Sequence, residues 1–128
     1  MILNKGYQIQ SKKQFGTDTL IITKGSSTKS LIIKHSKYHN HKDYQAWYTL
    51  NPEVENFIDF FVFTYLTKDY QSNCVVLNKS DMIIILKQLK KLPDGRININ
   101  LRVKSDGRVI ESSSNTDLSK FVNNFHFI

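Results

Sequence analysis

The stretch of residues 57–66, FIDFFVFTYL, is apolar at eight of ten positions, and it limits the architectures open to the chain. It is far too short to cross a bilayer as a helix. Its aromatic and β-branched content suits a strand. Its apolarity is nearly continuous, where a half-buried strand would alternate, so the strand is expected to be buried on both faces near the middle of a sheet. A second apolar run, residues 73–77, NCVVL, follows after a short polar break and reads as another strand.

Other elements arrange themselves around this pair. Ser80 can cap a helix over 81–91, with Met82, Ile85, Leu86 and Leu89 as its apolar stripe. Asp81 in its first turn and Lys87, Lys90 and Lys91 near its end suit the helix dipole. Pro93-Asp94-Gly95 is a turn, and 96–104 with 108–112 form a hairpin about Ser105-Asp106-Gly107. Tyr44, Trp47 and Tyr48 at i, i+3, i+4 predict a short helix over 43–50, ended by Asn51-Pro52. Thr116 or Asp117 is expected to cap a last short helix over 118–124. Residues 1–6 read as the last turn of a helix and 7–10 as a short strand. No repeat, low-complexity tract or linker interrupts the 128 residues. The expectation is one domain of mixed α/β (α+β) class, with a mixed sheet and short helices.

The net charge of +7 is unevenly spread. Residues 1–48 hold eight lysines against two acids, whereas 49–128 are close to balanced. So basic a half favours a polyanionic partner, and a solvated basic surface is the alternative. Cys74 is the single cysteine, which excludes an internal disulfide and suits a reducing, cytoplasmic location. The opening residues lack the features of a signal peptide, and no run has transmembrane length, so no membrane role is expected.

The polar chemistry concentrates in residues 16–37: GTDTLIIT, the turn KGSST, then KSLIIKHSK. Two strands are expected to pair across the turn, with Gly25 at positive φ. Leu31, Ile33 and His35 share the face read as core, and Ile32, Lys34 and Ser36 share the other. If the strands pair, Asp18 and Lys34 can converge. A carboxylate beside a lysine suits phosphodiester hydrolysis: the acid holds Mg²⁺, and the ammonium stabilises developing charge. The plainer reading makes Asp18 a turn cap and Lys34 a solvated strand residue. His35, His39 and His41 raise zinc binding, but their spacing in a loop is not a standard ligand set. Lys37, Lys42, Tyr38 and His39, with His41, Tyr44 and Trp47, form a basic and aromatic cluster able to contact phosphates and stack bases. Lys12 and Lys13 add further phosphate contacts.

The order GTD, strand, turn, strand, IIK resembles the PD-(D/E)XK, or restriction-endonuclease-like, nuclease superfamily. GYQI with KKQFGTDTLIIT resembles that family's approach to its first catalytic strand, and LIIKHSK resembles its (D/E/Q)XK strand. FIDFFVFTYL, NCVVLNKSDMIIILKQL and DLSKFVNNFHFI resemble the elements that follow. The resemblance implies a central mixed sheet flanked by helices, Asp18 as Mg²⁺ ligand and Lys34 as catalytic lysine. It also implies DNA as substrate, a restriction or defence role, and a homodimer to cut both strands. The chain departs from the pattern at Ile32, where the second acid belongs, and Asp43, Glu53, Glu55 and Asp59 are the acids that could replace it. Two functions therefore stand: a Mg²⁺-dependent endonuclease, or a nuclease-like module without activity that binds nucleic acid or a protein partner, an inhibitory role included.

Overall fold

In a computed structural model of the chain, the apolar stretch supplies β5 (Phe60–Leu66), flanked by β3 (Ser27–His35) on one side and β6 (Ser72–Asn78) on the other. The structure describes residues 8–14 and 17–125; for residues 12–14, 17, 18, 54 and 55 it describes the backbone alone. The expectation for residues 1–6 lies outside the described part. With β1 (Gln8–Gln14) and β2 (Thr17–Lys24), these strands form a five-stranded sheet in the order β1-β2-β3-β5-β6. Strand β5 runs parallel to β3, and the other neighbours are antiparallel, so the sheet is mixed. Strand β1 extends through the polar residues 11–14, beyond the short strand expected from its alternation.

Both faces of β5 are buried, as its composition requires. Phe61, Phe63 and Tyr65 point into the larger core, and Phe60 and Val62 into a smaller one on the opposite face. Strands β3 and β6 divide in the same way, Ile32, Val75 and Leu77 against Leu31, Cys74 and Val76. The face of β3 read as core, that of Leu31, thus carries the smaller cluster. Ile32 belongs to the larger one and is fully buried.

A second sheet closes the larger core. It has the order β4-β7-β8-β9, from β4 (Ala46–Leu50), β7 (Ile97–Val103), β8 (Val109–Glu111) and β9 (Thr116–Asp117). The expected helix over 43–50 is therefore a strand. Ala46, Tyr48 and Leu50 alternate into the core opposite Leu101, Ile99 and Ile97, and the pairing with β7 overrides the helical spacing of the aromatics. The Tyr48 hydroxyl donates to the Thr64 carbonyl at 2.5 Å and joins the two layers.

The described α-helix, α1 (Lys79–Leu86), is shorter than expected. Asn78 rather than Ser80 caps it, accepting from the Asp81 N–H at 2.8 Å, and i to i+3 bonds carry the chain on to Leu89. Met82, Ile85, Leu86 and Leu89 enter the larger core as their spacing predicts. The last expected helix is one 3-10 turn, Ser119–Phe121. The α+β class and the mixed sheet match the expectation, whereas the layer facing that sheet is largely a second sheet.

At the far edge, fully buried Glu111 accepts from the Asn100 N–H (2.7 Å), the Ser114 N–H (2.8 Å), and the hydroxyls of Ser113 (2.6 Å) and Ser114 (3.0 Å). It ties the turn after β8 to β7.

Candidate nucleic-acid interface

The β2–β3 hairpin turns at Gly25-Ser26, with Gly25 at φ 59°, which glycine adopts without steric cost. The register pairs Thr19 with Ile32. Lys34 lies two residues beyond Ile32 and so shares the Thr19 face. The Asp18 backbone pairs with Lys13 of β1, and Lys12 pairs with Thr19. Side chains of Lys12, Lys13 and Asp18 lie outside the described part.

Lys34 is half-buried, and burial alone lowers the pKa of its ammonium from the ordinary lysine value. Beside it on the same face are fully buried Ile32 and Thr19, whose hydroxyl has no hydrogen-bond partner among the described residues. Mg²⁺ requires several oxygen ligands, carboxylates foremost. On β2 and β3 the described side chains that share this face offer hydroxyls, those of Thr19 and Ser30 among them, and no carboxylate, so this set does not fit the ion. Of the candidate replacement acids, Asp43 and Glu53 are exposed, and the Glu55 side chain lies outside the described part. Asp59 accepts from the Ser30 N–H at 2.9 Å, four residues or about 13 Å along β3 from Lys34. No group of three potential metal ligands occurs among the described residues.

His35, expected to pack inward, is exposed, and its Nδ1 lies 2.6 Å from the Thr64 hydroxyl. It lines an apolar cavity of about 400 Å³ on the outer face of the five-stranded sheet, with Cys74 and Phe125. Burial pushes the Cys74 thiol pKa up, away from reactivity.

The basic and aromatic cluster is a loop from Ser36 to Gln45, pinned at both ends. Ser36 N–H donates to the Thr64 carbonyl (3.3 Å), and the Trp47 N–H donates to the Ser36 hydroxyl (3.0 Å). Gln45 N–H donates to the Leu101 carbonyl (2.8 Å), and Gln45 Oε1 accepts from the Val103 N–H (2.7 Å). Inside the loop, the His41 ring stacks on Tyr44 at 4.4 Å and His39 tilts against the same ring at 5.6 Å. These histidines pack on Tyr44 rather than converging on a shared point. Lys37 and Lys42 remain exposed, and Trp47 is 44% exposed on the outer face of β4.

Tyr38 turns away from that stack and lines a cleft of about 600 Å³ with Gln45, Lys68, Asp69 and Lys104. Lys68 and Asp69 belong to the β5–β6 turn and Lys104 to the β7–β8 turn, so three connections meet here. Sequence reasoning did not single out Lys68 and Lys104, because only the fold brings their turns beside Tyr38. Ion pairs among the described residues are Arg96–Asp94 at 2.7 Å and Arg108–Asp106 at 2.8 Å. Lys37, Lys42, Lys68 and Lys104 are in neither, and their charges face solvent or the cleft. Comparison with family models, curated proteins and solved structures finds no match to this chain.

Proposed function

We propose that the protein is a nucleic-acid-binding module that contacts phosphates through Lys37, Lys42, Lys68 and Lys104, with the nuclease-like motif order around a mixed sheet retained without cleavage. The observation that carries this reading is the meeting of the loop over 36–45 with two lysine-bearing turns around one cleft. Lysines outside ion pairs supply the salt-sensitive part of such binding. Ile32 counts against catalysis: it fills the place of the second acid and packs in the larger core.

A Mg²⁺-dependent endonuclease is the second reading, favoured by one observation. Lys34 and Thr19 place a half-buried ammonium and an unpartnered hydroxyl on one face. The expected homodimer belongs with this reading.

Anisotropy of labelled single-stranded and duplex DNA tests the proposal. Binding is expected to weaken as salt rises, and Lys37→Glu with Lys42→Glu is expected to lower affinity by at least about tenfold. The same mixtures, incubated with Mg²⁺ or Mn²⁺, are expected to stay uncut. Cleavage that disappears in Asp18→Ala and Lys34→Ala would establish the second reading instead. Absence of both binding and cleavage would point to a protein partner.

A further inference from the structure

Three hairpin-like turns share one hydrogen-bonding plan. Leu92 N–H donates to the Arg96 carbonyl (2.7 Å) and Gly95 N–H to the Leu92 carbonyl (2.8 Å). Lys104 N–H donates to the Arg108 carbonyl (2.8 Å) and Gly107 N–H to the Lys104 carbonyl (2.9 Å). Thr67 N–H donates to the Gln71 carbonyl (2.8 Å) and Tyr70 N–H to the Thr67 carbonyl (2.8 Å). An aspartate stands third in each: Asp94, Asp106 and Asp69. The fourth residue is left-handed in each: Gly95 at φ 89°, Gly107 at φ 91° and Tyr70 at φ 60°.

Glycine is the residue such a turn calls for, and the fold uses it twice. A side chain with a Cβ is strained there, and a bulky aromatic is an outlier. Burial does not compensate, because Tyr70 is 71% exposed. What the Tyr70 ring does touch is Tyr38, edge to face, with centroids 5.9 Å apart and planes at 61°. A strained, exposed aromatic therefore packs on Tyr38, which itself lines the lysine-bearing cleft.

We propose that Tyr38 and Tyr70 form a stacking platform for an unpaired base, so that the protein selects single-stranded nucleic acid. The inference rests on the nucleic-acid-binding reading and deepens it. The cleft, about 600 Å³, falls within the size range of small-ligand pockets and accepts one unstacked base. Lys68 and Lys104 on its walls take the flanking phosphates. A duplex keeps its bases stacked inside and offers this platform only its backbone. Aromatic stacking is tolerant of base identity, so little sequence preference is expected.

Anisotropy with labelled oligothymidylate and with a duplex of equal length is the test, on the full chain and on Tyr70→Gly and Tyr38→Leu. Tyr70→Gly restores the residue that the sister turns use, so its thermal midpoint should rise while its affinity for oligothymidylate falls about tenfold. The loss for duplex should be smaller in both variants, and the parent should prefer the single strand. Equal binding of the two forms, or unchanged oligothymidylate affinity in Tyr70→Gly, would overturn the platform. If affinity in that case still falls with Lys37→Glu and Lys42→Glu, the nucleic-acid reading survives alone. If the parent binds neither form, both fail together.

Discussion

Two side chains on one face of β3, Ile32 and Lys34, are held out of water to different degrees. Ile32 lies fully buried in the cluster that includes Phe61 and Phe63. Ile32→Val should cost about 0.5–1.5 kcal/mol, the usual result of removing one buried methylene. Ile32→Asp puts a carboxylate into apolar surroundings and should abolish cooperative unfolding in urea. Lys34, one step along, is a charge held partly out of water. Its folded pKa lies below its unfolded value, so the unfolded chain binds more protons between the two and stability rises with pH across that window. Below the folded value the unfavourable desolvation is present in full. Lys34→Met is therefore expected to raise the thermal midpoint at neutral pH, and the gain should shrink as pH climbs toward the ordinary lysine pKa. A gain independent of pH would mean that Lys34 is well solvated.

Among the elements, the β8–β9 connection depends on a single carboxylate. Glu111→Ala leaves the N–H groups of Asn100 and Ser114 without their acceptor, at about 1–3 kcal/mol each, and chemical unfolding should report the sum. Glu111→Gln keeps an acceptor oxygen and should lose less. The legibility of elements in the sequence follows how local their causes are. Strands β5 and β6 were readable because continuous apolarity over a few residues has few other uses. The β7–β8 hairpin was readable from Ser105-Asp106-Gly107. Strand β4 is ambiguous in the sequence because AWYTL, behind Tyr44, fits a helical face as well as a strand face, and only β7, some fifty residues later, decides between them. Ile32 was assigned to the lesser face for a related reason: in SLIIKH both parities are apolar, and the second sheet that makes one of them the main core is not local. The candidate cleft is half legible, since Tyr38 stands out in the sequence while Lys68 and Lys104 do not. Tyr70 carries a signal in the sequence: KDYQ aligns with PDGR and SDGR, with tyrosine in the place of glycine.

Over the whole molecule, the two apolar clusters share three strands, since β3, β5 and β6 each send residues to both. Thermal unfolding followed by near-ultraviolet and far-ultraviolet dichroism should therefore give one coincident transition, and separated midpoints would mean that the clusters melt independently. The parallel pairing of β3 with β5 has a further consequence. Their connection carries β4, which belongs to the other sheet, so the layers are interleaved along the chain. During synthesis β4 leaves the ribosome long before its partner β7, and the hydrogen-bonding edge of residues 46–50 must wait for residues 97–101. At roughly 5–20 residues per second that interval lasts seconds. Through that interval Tyr48 and Leu50 lack Ile99 and Ile97, the residues they pair with across β7.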